Sequence, residues 1–343
     1  MTAANAQEPQ RRATIAHVAE AAGVSAPTVS RVINHPASVT AATRSRVEAA
    51  IRELNYRPSA IARGLAYGRT MTVGAVVPFL THPSAVQRVR GLIEGLRTSP
   101  LPLSLYDVES PQHRVEHFEL LTSGHPPMGT VVVGLGPTPD ELGALRSVGT
   151  PVVFVDVDIP GFSRVIVDHR EGGRLATQHL IGLGHERIGF VGDAEGNAFG
   201  FTSSARHHRG YVEVLTAAGL PVEDALSMTG PHGRAEARTL AERMLTNSER
   251  PTAVFAASDT QAMGVIDAAA RLDLSIPADL SVIGFDDIEM SEYVGLTTIR
   301  QPLEESGRRA AEILLEAISA PDSGAVCEQL PLELVVRETT GAR

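Results

Sequence analysis

The sequence predicts a multidomain chain: a small all-α headpiece carrying a helix-turn-helix, then an α/β core of two open, mostly parallel units. Three observations carry this reading. Residues 13–57 show helical periodicity broken by one glycine turn. From Met71 onward, short apolar runs alternate with helical segments. The charge also changes sign between the two parts. The first 70 residues hold nine arginines (11, 12, 31, 44, 46, 52, 57, 63 and 69) against four acids, a net +5, within a chain whose net charge is −10. The remainder therefore carries −15, and a basic head on an acidic body suits a DNA-binding module joined to a domain with another task.

At 343 residues the chain has room for two or three domains, each with its own core. No apolar run approaches the ~20 residues that span a bilayer. Met1 to Arg12 is polar, reads as a disordered tail, and lacks a signal-peptide core. One cysteine, Cys327, excludes an internal disulfide framework or a cysteine metal cluster and fits a reducing cytoplasm.

The head begins with Ile15, Val18, Ala19 and Ala22, spaced to form one apolar helix face. Thr14 is a good N-cap, although the third helical position holds His17 instead of the acid of a capping box. Gly23 can adopt the left-handed conformation that ends the helix and turns the chain. Ser25 then caps a second helix, and Pro27 is tolerated in its first turn. Val29, Val32 and Ile33 point inward, leaving Ser25, Ala26, Pro27, Ser30, Arg31 and Asn34 outward. A third helix follows Thr40 or Thr43 with Val47, Ala50, Ile51 and Leu54 on one face, and Tyr56 closes the core. An ordinary helical hairpin has the same pattern, so the motif alone does not establish DNA reading.

Pro58 opens a second helical pattern, PSAIARGLA. Gly64 weakens it by ~1 kcal/mol and it falls short of the ~12–15 residues an isolated helix needs, so it is expected to be helical only when packed. Leu65 beside arginines fits a minor-groove wedge, with Arg63 and Arg69 near phosphates; a plain linker has the same composition.

In the core, the strand-like runs are Val73–Val77, Leu103–Tyr106, Thr130–Val133, Val152–Val155, Ile188–Val191, Ala253–Ala257 and Ser281–Phe285. Helical segments such as Val86–Leu96, Glu171–Leu183 and Thr260–Leu272 lie between them. Continuous apolar strands with intervening helices mean parallel sheets covered on both faces, and ligands bind beyond the strands' carboxyl ends. The loops there carry Phe79, Thr81 and His82, then Asp193, Glu195 and Asn197, then Ser258 and Asp259, and finally Asp286 and Asp287. Carboxylates converging on a cleft suit sugar hydroxyls, with an aromatic face for stacking. The same aspartates also suit helix starts with no ligand at all.

The segments ATIAHVAEAAGVSAPTVSRVIN and VTAATRSRVEAAIRELNYRPSAIARGL closely resemble the lactose-repressor (LacI/GalR) family of bacterial transcription factors. TVGAVVPFL, VDHREGGRLATQHLIGLGHERIGFVG, RPTAVFAASDTQAMGV and LSVIGFDDIEMSEYVGLTTIRQPLEESGRRAAEIL look like the same family's effector core. The resemblance covers about residues 13–340. It implies a core similar to periplasmic sugar-binding proteins, two Rossmann-like lobes with ligand between them. It also implies a regulator, expected to be a repressor, that acts as a homodimer on palindromic double-stranded operator DNA. Carried over by position, Ala26, Pro27 and Arg31 should face base edges, and Ser25, Thr28, Ser30 and Asn34 should hold phosphates. Leu65 would be the hinge wedge, with Ser59, Ala60 and Arg63 beside it. Of these, Arg31 is the strongest base reader, because guanidinium donates two bonds to guanine. The resemblance places Asp286 at the aspartate that bonds effector hydroxyls and Ser258 at a ligand-contacting position; with the polar loops after the strands, the effector-site candidates are Phe79, His82, Asp193, His207, Ser258, Asp259 and Asp286. His207 stands where the family often has an arginine, and His82–Pro83–Ser84–Ala85 lacks aromatics the family often has there. Both departures leave the effector's identity open.

The boundaries expected are a tail at 1–12, a helix-turn-helix domain at 13–57, a hinge at 58–70 and the core at 71–343. Crossings between lobes are expected near 157–164, 288–297 and 319–327. No leucine heptads follow LPLELVVRET, so a dimer is expected over a tetramer built on a helical tail. Enzyme motifs fail: Gly134–Leu135–Gly136 is followed by prolines, His185–Glu186 has no second histidine at zinc-helix spacing, and His207 and His208 are adjacent. No cofactor, no metal and no catalytic residue is expected, and the protein is expected in the cytoplasm at the nucleoid.

Overall fold

A computed structural model of the chain describes residues 13–34, 36–56 and 68–343. It separates into two units, Met1–Thr70 and Met71–Arg343.

In the first unit, α1 (Ile15–Ala22), α2 (Ala26–Asn34) and α3 (Ala41–Glu53) enclose Val18, Val29, Val32, Val47 and Ala50. Gly23 ends α1 at φ 63°, the left-handed conformation the turn requires. The capping box at α1 forms without an acid. Thr14 Oγ1 accepts from the His17 N–H at 3.4 Å, and Nδ1 of His17 accepts from the Thr14 N–H at 3.3 Å. A neutral imidazole nitrogen is an acceptor, so it substitutes for the carboxylate. Thr40 caps α3 through the Thr43 N–H.

The second unit holds two six-stranded sheets. One has the order β11-β5-β4-β3-β1-β2, with β1 (Thr70–Pro78), β2 (Leu103–Val108), β3 (Pro127–Val133), β4 (Val152–Val155), β5 (Ser163–Ile166) and β11 (Cys327–Gln329). The other has the order β12-β10-β9-β8-β6-β7, with β6 (Ile188–Asp193), β7 (Ser227–Gly230), β8 (Ala253–Ala256), β9 (Ser281–Asp286), β10 (Thr297–Arg300) and β12 (Glu333–Val335). β12 runs antiparallel to β10, whereas β6, β7, β8, β9 and β10 pair in parallel. The two-residue side-chain period explains how one strand serves two layers. Val73, Ala75 and Val77 face α4 (Pro83–Gly95) and α12 (Leu303–Ser319), while Val76 faces α5 (Pro111–Thr122) and α6 (Pro139–Val148). In the second lobe, α7 (His169–Gly182) and α8 (Ser203–Ala217) cover one face. α9 (Arg234–Leu245) and α10 (Asp259–Arg271) cover the other, and the short α11 (Glu289–Tyr293) follows β9.

The chain passes between the lobes after β5, after β10 and after β11, at residues 167–168, 301–302 and 330–332. Each crossing lies several residues beyond the segment expected. The reason is that β5, β10 and β11 are short and rich in polar residues, so their sequences read as loop although each pairs within a sheet. Both sheets reverse their strand order at the first strand of the lobe, β1 and β6, which is where an open α/β sheet leaves a crevice.

Helix pairs approach closely in both lobes. A Cβ at Gly91 would meet the Glu304 carbonyl oxygen at 1.8 Å, and one at Gly307 would meet the Arg88 carbonyl at 2.0 Å. Glycines at α7 and α8, Gly173 and Gly210, do the same for the second lobe.

Candidate functional site

The crevice between the lobes holds a cavity of about 120 Å³ at the carboxyl ends of the strands. Lobe one supplies Phe79 after β1, Gly134 after β3 and Asp156 after β4; lobe two supplies Asp193 from β6, Ser258 after β8 and Asp286 from β9. Phe79, Asp156 and Asp286 have φ of 48°, 67° and 123°. These are costly for residues with a Cβ, and such strain clusters at ligand sites.

A polar chain crosses the cavity from lobe to lobe. Arg88, buried on α4, donates from Nη2 to Asp156 Oδ2 at 2.8 Å and to Gln301 Oε1 at 3.1 Å. Gln301 in turn donates to Asp286. Asp156 Oδ1 bonds Nε2 of His169 at 2.7 Å, and the other ring nitrogen of His169 meets His207 Nε2 at 3.0 Å. At the opposite wall, Asp193 Oδ1 accepts from Gln261 Nε2 at 2.9 Å and pairs with His232 Nδ1 at 3.0 Å.

The electrostatics follow from these partners. Burial alone would raise the Asp156 carboxyl, but the charge of Arg88 and the contact with His169 outweigh it and hold it well below its ordinary value. At Asp286 burial and the Asp259 charge outweigh the Arg88 charge and the Gln301 hydrogen bond, and push the carboxyl up to about 8. A carboxyl that keeps its proton both donates and accepts. Burial and the neighbouring His169 hold His207 well below its ordinary value. Burial disfavours charged His232, yet the hydrogen bond and charge of Asp193 outweigh it and raise its pKa.

The Asp286 shift makes a pH prediction. Its folded-state pKa lies above the unfolded value of 3.8, so its contribution to stability is full below that value and is lost as pH rises toward about 8. Asp259, raised to about 6 chiefly by burial, acts in the same direction. Asp286→Asn should therefore raise the melting temperature at pH 8 and leave it nearly unchanged at pH 4. Calorimetry that finds the same change at both would place the carboxyl in its ordinary range.

Six of the seven residues expected to meet an effector line this one cavity: Phe79, His82, Asp193, His207, Ser258 and Asp286. Asp259 does not. It is fully buried behind β9, accepting from the Ile288 N–H and from the hydroxyls of Ser291 and Thr298. At the start of α10 the Ser258 hydroxyl caps the Gln261 N–H, leaving the next side chain to turn inward. Arg88, His169, Gln301 and His232 line the cavity without having been singled out. Arg88 had one signal: a cation interrupts the apolar stripe of Ala85, Val89 and Leu92. Asp287 turns away to Arg300 and Arg337, and His208 leaves the cleft to bond the Ser227 hydroxyl at 3.1 Å.

On the head, Ser25, Pro27 and Arg31 are exposed, whereas Thr28 and Ser30 are half-buried. Ala26 is also half-buried and packs on the head's core, a correction to its outward reading. The cause is its position at the start of α2, where a methyl reaches back to the helix pair. Asn34 ends α2. Ser59, Ala60, Arg63 and Leu65 lie outside the described residues.

Residues 14–59 match the model of bacterial regulatory proteins of the lacI family, and residues 177–340 match a periplasmic binding protein-like domain. The chain is 35% identical over 317 residues to the HTH-type transcriptional repressor PurR of Haemophilus influenzae (strain PittEE), covering 91% of this chain and 93% of that one. It is 34% identical over 314 residues to the ribose operon repressor of Escherichia coli (strain K12), covering 90% and 94%. This chain belongs to the lacI family of bacterial regulatory proteins. It is thus a DNA-binding transcriptional regulator. Among solved structures, a lac repressor dimer bound to operator and the anti-inducer ONPF is similar at a TM-score of 0.78 and 28% identity, covering 97% of this chain and all of that one. A lacI-family regulator from Enterococcus faecium with bound ribose gives 0.71 and 26%, covering 79% and 99%.

Within this lacI-family core an aromatic wall is shared between the two lobes. Phe199 and Phe201, in the loop after β6, stack on each other at 5.4 Å, and Phe199 meets Phe79 edge-on at 5.0 Å. Phe79 stacks on His82 at 5.0 Å and 15°. Phe201, Phe79 and His82 all line the cavity, where the first-loop rings meet phenylalanines from across the cleft. No described helix is long and apolar enough to cross a membrane.

Proposed function

We propose that this chain is a repressor that binds a palindromic operator as a homodimer, and that a sugar or sugar derivative in the cleft switches its operator affinity. The cleft binds its ligand without turning it over, and the protein works in the cytoplasm at the nucleoid. The observation that carries the reading is the polar chain from Arg88 through Asp156 to His169 and His207, which ties the two lobes together across the cavity. A ligand entering there changes the contacts that set the lobe arrangement, and so couples cleft to DNA. Dimer symmetry supplies two heads for two half-sites. A relative named as the ribose operon repressor and a neighbour holding ribose support a small polar effector.

On the DNA side, Arg31 reads a base edge, with Ser25, Thr28, Ser30 and Asn34 at phosphates and Pro27 and Ala26 supplying shape alone. Ser59, Ala60, Arg63 and Leu65 of the hinge complete the contact. Arg31→Ala should weaken operator binding by ~1–3 kcal/mol and relax one position per half-site. Equal loss on every operator variant would put Arg31 on phosphate instead.

The switch is tested by fluorescence anisotropy on an operator enriched from random duplexes, with sugars titrated in. An effector must change operator affinity, and operator must change effector affinity by the same factor. A broad sugar panel that changes neither overturns the switch.

A further inference from the structure

The charges around the cleft cavity cancel within the protein, and that limits what the cavity accepts. This inference rests on the cleft being the effector site. Arg88 is the sole guanidinium among the cavity-lining residues, and Asp156 and Gln301 occupy its Nη2 at 2.8 and 3.1 Å. At the other wall, Asp193 is matched by His232 and Gln261. What remains unmatched carries no net charge. The Arg88 Nε–H is buried and makes no hydrogen bond. Ser84 and Ala85 in the first turn of α4 and Ser203 in that of α8 also line the cavity, and the N-caps of both helices, His82 and Thr202, form no side-chain cap bond. Helix N-termini carry roughly half an elementary charge and favour anions, but here they share the cavity with the carboxylates of Asp156 and Asp193. Hydroxyl groups both donate and accept, so they satisfy these atoms without bringing in a charge that nothing balances.

We propose that Asp156, by neutralising Arg88 inside the cleft, selects an uncharged polyhydroxylated ligand of monosaccharide size over its phosphorylated or acidic counterparts. Asp156 is then a specificity-determining residue that acts through Arg88. With its charge removed, Arg88 and the two uncapped helix starts become an open anion site. The preference should invert.

The experiment is isothermal titration of the full-length protein with D-ribose, D-glucose, their 5- and 6-phosphates and D-glucuronate, alongside operator anisotropy with the same compounds. The wild-type protein should bind a neutral sugar and take its phosphate roughly tenfold less tightly or worse. Asp156→Asn should reverse that ratio. The double variant Arg88→Met/Asp156→Asn, with neither charge, should return the preference to the neutral sugar. A wild-type protein that prefers the phosphate, or a folded Asp156→Asn variant with an unchanged ratio, overturns the proposal. Should Asp156→Asn fail to fold, the wild-type ratio and the double variant decide it. If an anionic compound binds the wild-type protein best and shifts operator affinity, the effector reading stands and the charge selection falls. If no compound of either charge binds or moves operator affinity, the effector reading itself falls.

Discussion

Gly307→Val is expected to destabilise the core by roughly 3 kcal/mol or more, and to weaken effector binding in whatever protein remains folded. At this position a Cβ alone would stand 2.0 Å from the Arg88 carbonyl oxygen and 2.9 Å from the Leu92 nitrogen. Both obstacles are backbone of α4, so no rotamer change relieves them, and the helices must separate. The α4–α12 pair is the broadest helix contact of the first lobe, and it carries Ala310, Ala311, Ile313 and Leu314 against the sheet. Separation therefore opens the apolar layer, and it also displaces α4, on which Arg88 sits. Two readings follow from one substitution: a lowered denaturation midpoint, and a fall in ligand affinity beyond that of a variant at an exposed site. An unaltered midpoint would mean that the two helices are not held at this separation.

The same contact shows where sequence reading succeeds and where it stops. Val73–Val77, Thr130–Val133, Val152–Val155 and Ile188–Val191 are legible as strands because burial on both faces demands unbroken apolar residues. β7 and β10 are not, since Ser227–Gly230 lies at a sheet edge and Thr297 and Thr298 are buried threonines. Their hydroxyls are satisfied by Thr340 and by Asp259, partners 43 and 39 residues away. Local pattern does not contain such pairings. The site divides in the same way. Asp193, Ser258 and Asp286 are found because they directly follow apolar strands, whereas Gln301 follows β10 and shares its invisibility. Asp156 does follow a legible strand, but its local sequence does not set it apart from Asp158, which pairs with Arg164 instead. Arg88 acquires meaning only when α4 is laid against the end of β4. The aromatic wall is a third instance: Phe199 and Phe201 are lobe-two residues whose partner, Phe79, belongs to lobe one.

That wall is held by one arginine, and removing it should be the second large effect. Arg114 on α5 is 5% exposed and spends its guanidinium on four acceptors. Nε and Nη2 grip Glu141 at 2.8 and 2.6 Å, Nη2 also reaches the Gly136 carbonyl at 2.7 Å, and Nη1 donates to the Ala198 carbonyl of lobe two at 3.1 Å. Gly136 and Gly200 lie so close that a Cβ on either would stand 2.6–2.7 Å from the other's carbonyl oxygen. The loop bearing Phe199 and Phe201 is thus clasped to lobe one, with Asn197 bracing it through the Phe199 and Phe201 N–H groups. Arg114→Ala leaves Glu141 without its cation and two carbonyls without donors, at a cost of ~3–5 kcal/mol for a broken buried pair. Burial works to raise the Glu141 carboxyl, yet Arg114 holds it below its ordinary value. The pair's stabilisation is therefore present above the ordinary carboxylate pKa and lost as pH falls through the lowered one. The variant should accordingly show its full deficit at pH 7 and a smaller one in acid. Effector affinity should fall with it, because Phe201 loses its anchor at the cavity. Arg114→Lys keeps the charge but not the fork, and should recover only part of either property. If the alanine variant binds effector as the wild type does, the clasp is dispensable and the loop is held by its phenylalanines alone.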